Sequence, residues 1–325
     1  MTHRLSLAIA IAIAAACGVA APATAQETPS GAAPEAAAPT PAPAAAVPPP
    51  LRAQILLERA AFSPGELDGA WGSKSRQAMR GFQRAHGLAE TGEPDDASLA
   101  ALDKDTAPAL VGYTITADDV AGPFVKTPDG PVAKSKMASL PYESAAEALG
   151  ERFHASPALL RALNNAVPLD VAGGMLVVPN VLDIAPLQQA AKVVIDKSDG
   201  VLRLVDAAGN AYAQFPITTG SAEYPLPIGD LTIESIAPNP TYSYDPALIA
   251  GADPDGEKAQ LPPGPNGPVG TMWMSLSKPH YGIHGTPDPA RIGRTQSSGC
   301  VRLTNWSANA VAQAVSAGMT VSIQD

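Results

Sequence analysis

Apolar residues recur at helical spacing in the first third of the chain and in short extended runs in the last third, so two kinds of structure follow one another. Leu51, Ile55, Leu56 and Ala60 form one helical face. A turn at Ser63-Pro64-Gly65 leads through Leu67-Asp68-Gly69 and Trp71-Gly72 to a second helix, predicted from about Ser73 to His86. That helix carries Ala78, Phe82 and Ala85 on one face and stops at Gly87, and Asp95-Asp96-Ala97-Ser98 opens a third, short helix with Leu99 and Leu102. This helical unit occupies residues 51–105.

Residues 106–182 mix the two periods. Tyr113-Thr114-Ile115 reads as a strand and Glu143 to Phe153 as a helix. Ser156-Pro157 caps a second helix ending at Asn164-Asn165, and Gly173-Gly174 leads into a strand from Met175 to Pro179. From residue 190 to 325 short apolar runs dominate. Val193 to Asp196 and Val201 to Val205 flank a hairpin turn at Asp199-Gly200. Tyr212 to Thr218, Leu231 to Ile236, Thr271 to Leu276 and Met319 to Ile323 continue the series, which predicts a mainly antiparallel sheet domain. One helix is predicted there, Trp306 to Ala317, with Asn305 as its N-cap and Gly318 just past its end. The fold class is therefore multidomain: a helical unit, an α+β unit and a mainly-β C-terminal domain with one helix.

Two stretches fall outside these patterns. Residues 1–25 have a basic start at His3 and Arg4, an apolar run from Leu5 to Ala21 and the closing triplet Ala23-Thr24-Ala25, the pattern of a cleaved secretory signal peptide. The run is at the lower limit for a membrane span, so no stable span is expected after cleavage. Lipidation at Cys17 is an alternative. Residues 26–50 hold eight prolines among alanines and read as an extended tether. The expected destination is export, to the periplasm or cell envelope.

Composition narrows the function. The chain has 325 residues with 21 basic and 31 acidic side chains, a net charge of −10 without a basic run, which argues against nucleic acid as a partner. The cysteines are Cys17 and Cys300, too few for a disulfide-stapled scaffold or a four-cysteine zinc site. Signal cleavage leaves Cys300 without a disulfide partner. The histidines form no H-E-x-x-H pattern, and neither a G-x-S-x-G elbow nor a phosphate loop occurs, so no metal and no cofactor is expected.

Cys300 lies in Gln296-Ser297-Ser298-Gly299-Cys300-Val301-Arg302-Leu303, after Tyr281-Gly282-Ile283-His284-Gly285-Thr286. A thiol attacks as its thiolate, which a neighbouring imidazole can generate. His284, between apolar Ile283 and Gly285, suits the base. Gly299 allows a turn that exposes the sulfur and its adjacent amides, candidate donors to an oxyanion. On chemistry alone a structural thiol remains open. His280 would share a face with His284 if this segment were one strand.

Ile283-His284-Gly285-Thr286, Ile292-Gly293-Arg294 and Ser297-x-Gly299-Cys300-Val301-Arg302-Leu303 resemble the catalytic domain of L,D-transpeptidases of the YkuD type. Thr219-Gly220, Pro227 to Leu231 and Asn239 to Tyr242 resemble its upstream landmarks, over roughly residues 190–325. The resemblance implies cysteine acyl transfer on peptidoglycan stem peptides. Cys300 would attack the carbonyl of the diamino acid at stem position three and release D-alanine. The acyl group would then pass to an amine, giving a 3→3 crosslink or attachment of an envelope protein. His284 would be general base and acid, oriented by the Gly285 carbonyl, with Gly299 in the oxyanion loop. Arg302, Ser298, Ser297, Tyr281 and Thr286 would contact substrate, and Arg302 would either meet a carboxylate or brace the Cys300 loop. Relatives often carry His where this chain has Ser298. Tyr242 to Pro268 reads as a flap over the site.

The helical unit resembles a three-helix peptidoglycan-binding domain through Leu67-Asp68-Gly69, Trp71-Gly72, Phe82-Gln83-Arg84, Gly87-Leu88 and Thr91-Gly92. Residues 106–182 resemble a glycan-binding LysM module with an insertion of about 20 residues after its first strand, a spacer being the alternative. The expected partners are thus stem peptides and glycan strands. Hydrolysis of the same linkages and non-catalytic wall binding are the rival functions, and the pattern leaves the acceptor and the oligomeric state open.

Overall fold

The computed structural model describes residues 40–41, 47–221, 223–249 and 251–325. The expected signal peptide, with Cys17, and most of the tether lie outside the described residues. Helix α1 (Pro49–Arg59) starts on consecutive prolines, whose fixed φ suits a first turn. Its Leu56 and Leu57 pack with Met79 and Phe82 of α2 (Ser73–Ala85) and Leu102 of α3 (Asp96–Leu102), while Leu51 and Ile55 face a second core. Full burial of each such side chain is worth about 1.5–3 kcal/mol. Asp95 caps α3 by accepting the Ser98 N–H at 2.9 Å. Gln83, fully buried, donates to Thr91 Oγ1 at 2.9 Å and accepts from Gly92 N–H at 2.9 Å, tying the loop before α3 to α2.

The middle unit is built on β2 (Leu110–Thr114) and β3 (Met175–Pro179), paired antiparallel from Leu110↔Pro179 to Thr114↔Met175, with β1 (Thr40–Pro41) on the other edge of β2. Between β2 and β3 run α4 (Ala117–Ala121), α5 (Pro131–Lys134), α6 (Ala145–Arg152) and α7 (Pro157–Leu163). Ser144 and Ser156 cap α6 and α7 through their hydroxyls. Phe153, Leu149 and Leu160 fill the core beneath the sheet.

The C-terminal domain contains β4 (Lys192–Asp196), β5 (Val201–Val205), β6 (Ala211–Pro216), β7 (Gly229–Pro238), β10 (Met272–Leu276), β11 (Gly282–His284), β12 (Val301–Arg302) and β13 (Thr320–Gln324) in one sheet. The sheet order is β12-β11-β10-β7-β13-β4-β5-β6. The pairs β11/β12 and β13/β4 are parallel and the rest antiparallel. A separate hairpin, β8 (Tyr242–Tyr244) with β9 (Ala259–Leu261), makes up the predicted flap segment. Its returning limb is fastened to the middle unit: Leu140 N–H donates to Pro263 O at 2.9 Å, and Asn266 N–H to Leu140 O at 3.0 Å. Gly264 (φ +147) permits that approach, since a Cβ there would lie 2.1 Å from the Leu140 carbonyl oxygen.

Helix α8 (Asn305–Ala314) corrects the sequence expectation at both ends. Thr304, not Asn305, is the N-cap, its Oγ1 accepting the Ser307 N–H at 3.2 Å. The helix stops at Ala314 because Val315 is extended, and Gly318 donates instead to Ile233 O at 2.8 Å. The helical unit also joins the sheet edge. Gln214 of β6 donates its N–H to Ala61 O and accepts from Ser63 N–H, both at 2.8 Å.

Candidate active site

The site forms where β12 ends the sheet. Parallel pairing sets Ile283 beside Val301 and His284 beside Arg302, so Cys300 leaves the strand at the level of Gly282. Three features hold its loop. Ser297 Oγ donates to the Cys300 carbonyl at 2.6 Å, Ser297 N–H donates to Thr219 O at 2.9 Å, and Ser221 N–H donates to Ser297 O at 3.1 Å. Gly299 adopts φ +106, and a Cβ on it would stand 3.0 Å from the Tyr281 ring, so both conformation and space require glycine. Ser298 is half-buried in the same turn.

The thiol is half-buried. Burial pushes its pKa above the ordinary value, while the Gly282 N–H and the Arg302 charge act in the opposite direction. Its Sγ lies 3.5 Å from the His280 carbonyl oxygen, toward which the S–H points. The His284 ring is 3% exposed, and its Nδ1–H donates to the Gly285 carbonyl at 2.6 Å. That bond fixes the tautomer and leaves Nε2 with a lone pair. Burial, reinforced by the Arg302 charge and opposed by the Gly285 bond, lowers the imidazole pKa to about 3. Both shifts disfavour a resting thiolate–imidazolium pair, so the neutral thiol and neutral imidazole coexist at pH 7.

Arg302 is half-buried, and no carboxylate among the described residues lies within ion-pair distance of it. Its Nε is sealed from solvent without a hydrogen-bond partner. Its charge senses Cys300 and Tyr242, which it favours in their ionised forms. Its backbone exchanges both hydrogen bonds with Thr218, at 2.8 and 3.0 Å.

The remaining sequence candidates divide. Tyr281 walls the Cys300 turn, its hydroxyl donating to Pro225 O at 3.3 Å and Lys278 Nζ standing 4.7 Å above its ring centre. Thr286 is buried and accepts the Asp288 N–H at 3.3 Å, a local turn bond. His280 lies outside β11, in a turn at φ +70, so alternation along one strand does not relate it to His284. It meets the sulfur through its carbonyl. One side chain near the centre, Trp273, has no signal in local spacing, and another, Tyr242, is legible only as a landmark and as the start of the flap. Trp273, paired in register with His284, stacks on its ring at 5.5 Å and 25°. Tyr242, at the root of the flap hairpin, raises its own pKa by burial and by the nearby Cys300.

Residues 190–323 match the family described as "L,D-transpeptidase catalytic domain", and residues 49–102 match "Putative peptidoglycan binding domain". Among curated proteins, "Putative L,D-transpeptidase YkuD" of Bacillus licheniformis is 44% identical over 85 residues, 26% of this chain and 52% of that protein. The protein of that name from Bacillus subtilis is 51% identical over 59 residues, 18% of this chain and 36% of that protein. "Putative L,D-transpeptidase in ATP synthase subunits region ORF 5" of Fuscovulum blasticum is 34% identical over 113 residues, 35% and 58% of the two chains. The aligned segments thus span 36–58% of these relatives' lengths.

Proposed function

We propose that the protein, whose residues 190–323 match the L,D-transpeptidase catalytic domain and residues 49–102 the peptidoglycan-binding domain, is a peptidoglycan L,D-transpeptidase acting by cysteine acyl transfer. The observation that carries the chemistry is the buried, neutral His284, pinned by the Gly285 carbonyl on the strand beside the Cys300 turn. Cys300 sulfur attacks the diamino-acid carbonyl as His284 Nε2 takes the thiol proton. The amides at the Gly299 turn receive the developing oxyanion. The C–N bond then breaks, the departing D-alanine amine takes the proton from His284, and a thioester remains. An acceptor amine attacks the thioester, its proton passes to His284, and the thiol is regenerated. Arg302, a cation with an unfilled donor, meets a substrate carboxylate. The flap hairpin, with Tyr242 at its root, limits water at the thioester.

In this reading the helical unit and the middle unit hold the enzyme on the wall. The LysM assignment of the middle unit is part of the proposal, supported by the antiparallel β2/β3 pair that brackets α6 and α7. The exported location and signal peptide belong to it as well.

The test is incubation with a disaccharide-tetrapeptide and mass spectrometry of the products, beside Cys300→Ala. Crosslinked dimer supports transfer, whereas tripeptide with free D-alanine alone identifies a hydrolase. No change relative to Cys300→Ala overturns the enzyme reading. A carbapenem is expected to form a stable adduct at Cys300 in folded, reduced protein.

A further inference from the structure

The tautomer of His284 depends on one backbone carbonyl, that of Gly285, so whatever fixes that peptide fixes the base. The residue against it is Asn305, 2% exposed. A Cβ on Gly285 would lie 2.1 Å from Asn305 Oδ1, and a Cβ on Gly270 would lie 1.9 Å from the same atom. The carboxamide therefore rests directly on both backbone segments. Its Oδ1 accepts the Thr271 N–H at 3.1 Å, and its Nδ2 donates to Pro265 O at 3.4 Å. Thr271 immediately precedes β10, the strand that pairs with β11 and carries Trp273 against the His284 ring. Because the cap role belongs to Thr304, the Asn305 side chain is free for this task.

An NH2 group has two hydrogens, and Pro265 uses one. A side chain from a different unit, Glu151, lies close enough to interact with the carboxamide. Helix α6 of the middle unit packs against α8, and the Asn305 side chain is the interaction that favours the charged form of the Glu151 carboxyl, against burial and the negative charges of Glu147 and Glu66. Burial prevails and raises the Glu151 pKa to about 8, so the carboxyl is mostly protonated at pH 7. One of its oxygens, Oε1, is sealed from solvent without a partner.

We propose that Asn305 is a positioning residue for His284 and that Glu151 of the middle unit completes it by holding the Asn305 carboxamide in place. The middle unit is then part of the catalytic scaffold as well as a wall-directed attachment. The line runs from Glu151 through Asn305 to the Gly285 peptide and the Nδ1–H of His284. The inference deepens the transpeptidase reading and rests on it for its kinetic test.

The experiment compares the full chain with Glu151→Leu and Glu151→Gln. Gln keeps a neutral acceptor of nearly the same shape, whereas Leu removes it. Two quantities are read: the rate of Cys300 acylation by a carbapenem, and the His284 Nδ1–H resonance in a proton–nitrogen spectrum. Misplacing a catalytic group by about 1 Å costs up to roughly a hundredfold, and a loosened carboxamide is expected to slow acylation of Glu151→Leu about tenfold. Its Nδ1–H signal should broaden or exchange faster, and Glu151→Gln should restore both. His154→Gln serves as the interface control, since it removes the His154–Trp306 stack, 4.9 Å between the same two units, without touching the carboxamide. Folded Glu151→Leu with wild-type rate and wild-type Nδ1–H signal overturns the inference. So does His154→Gln changing both readouts as much as Glu151→Leu at equal loss of thermal stability. A wild-type protein that is not acylated refutes the transpeptidase reading instead, and the Nδ1–H signal alone then decides the positioning role.

Discussion

Replacing Arg302 by methionine separates a substrate-binding cation from a structural brace, because the two roles move stability in opposite directions. Arg302 has no carboxylate partner among the described residues, and its Nε is buried without an acceptor. A half-buried charge of this kind opposes folding, and an apolar side chain of similar length is expected to raise stability by about 1 kcal/mol. In the substrate-binding role, the same change removes a charge-assisted contact to the donor. Hydrogen bonds to charged groups contribute about 1.5–3 kcal/mol, a factor of roughly 10 to 150 in kcat/KM. The assay pairs each enzyme with two tetrapeptide donors, one with its terminal carboxylate free and one amidated. Wild type should prefer the free acid by that factor, and Arg302→Met should use both donors at the slow rate while melting slightly higher. The sulfur gives an independent check, since loss of the Arg302 charge leaves burial less opposed and pushes the thiol pKa further up. A variant that melts lower yet still discriminates acid from amide refutes the reasoning and makes Arg302 a brace.

Two further predictions concern the thiol and its turn. Burial holds the Cys300 pKa above its ordinary value, so the resting thiol stays protonated at pH 7. Iodoacetamide alkylation should therefore rise nearly tenfold per pH unit through pH 8, with no plateau below pH 9; a plateau below pH 7, read by mass spectrometry of the Cys300 peptide, would establish a resting ion pair instead. Gly299→Ala forces an L residue to φ +106 and sets a Cβ 3.0 Å from the Tyr281 ring. Strain of that class costs about 1–3 kcal/mol, so the melting temperature should fall by several degrees, and Tyr281→Ala in the same background should not restore it.

Local pattern carried most of the fold, and tertiary demand decided what it left open. The runs Val193–Asp196 and Val201–Val205 announce β4 and β5 because their turn residues and apolar runs are contiguous. No local pattern says that β7 pairs with β13, or that β11 and β12 run parallel at the edge where Cys300 emerges. Trp273 illustrates the consequence: its strand was legible, its stacking on His284 was not, because that contact exists only once the β10/β11 register is set. Asn305 illustrates a second kind of limit. Thr304 and Asn305 both have cap chemistry, and the choice between them depends on Gly270 and Gly285, which approach Asn305 only in the folded chain. The protonation state of the dyad follows the same rule. Residue types alone suggest an imidazolium that lowers a thiol pKa. Burial works against the charged form of both groups, and Arg302 stabilises a thiolate while repelling an imidazolium. In the proposed mechanism, charge therefore develops on sulfur only as His284 accepts the proton.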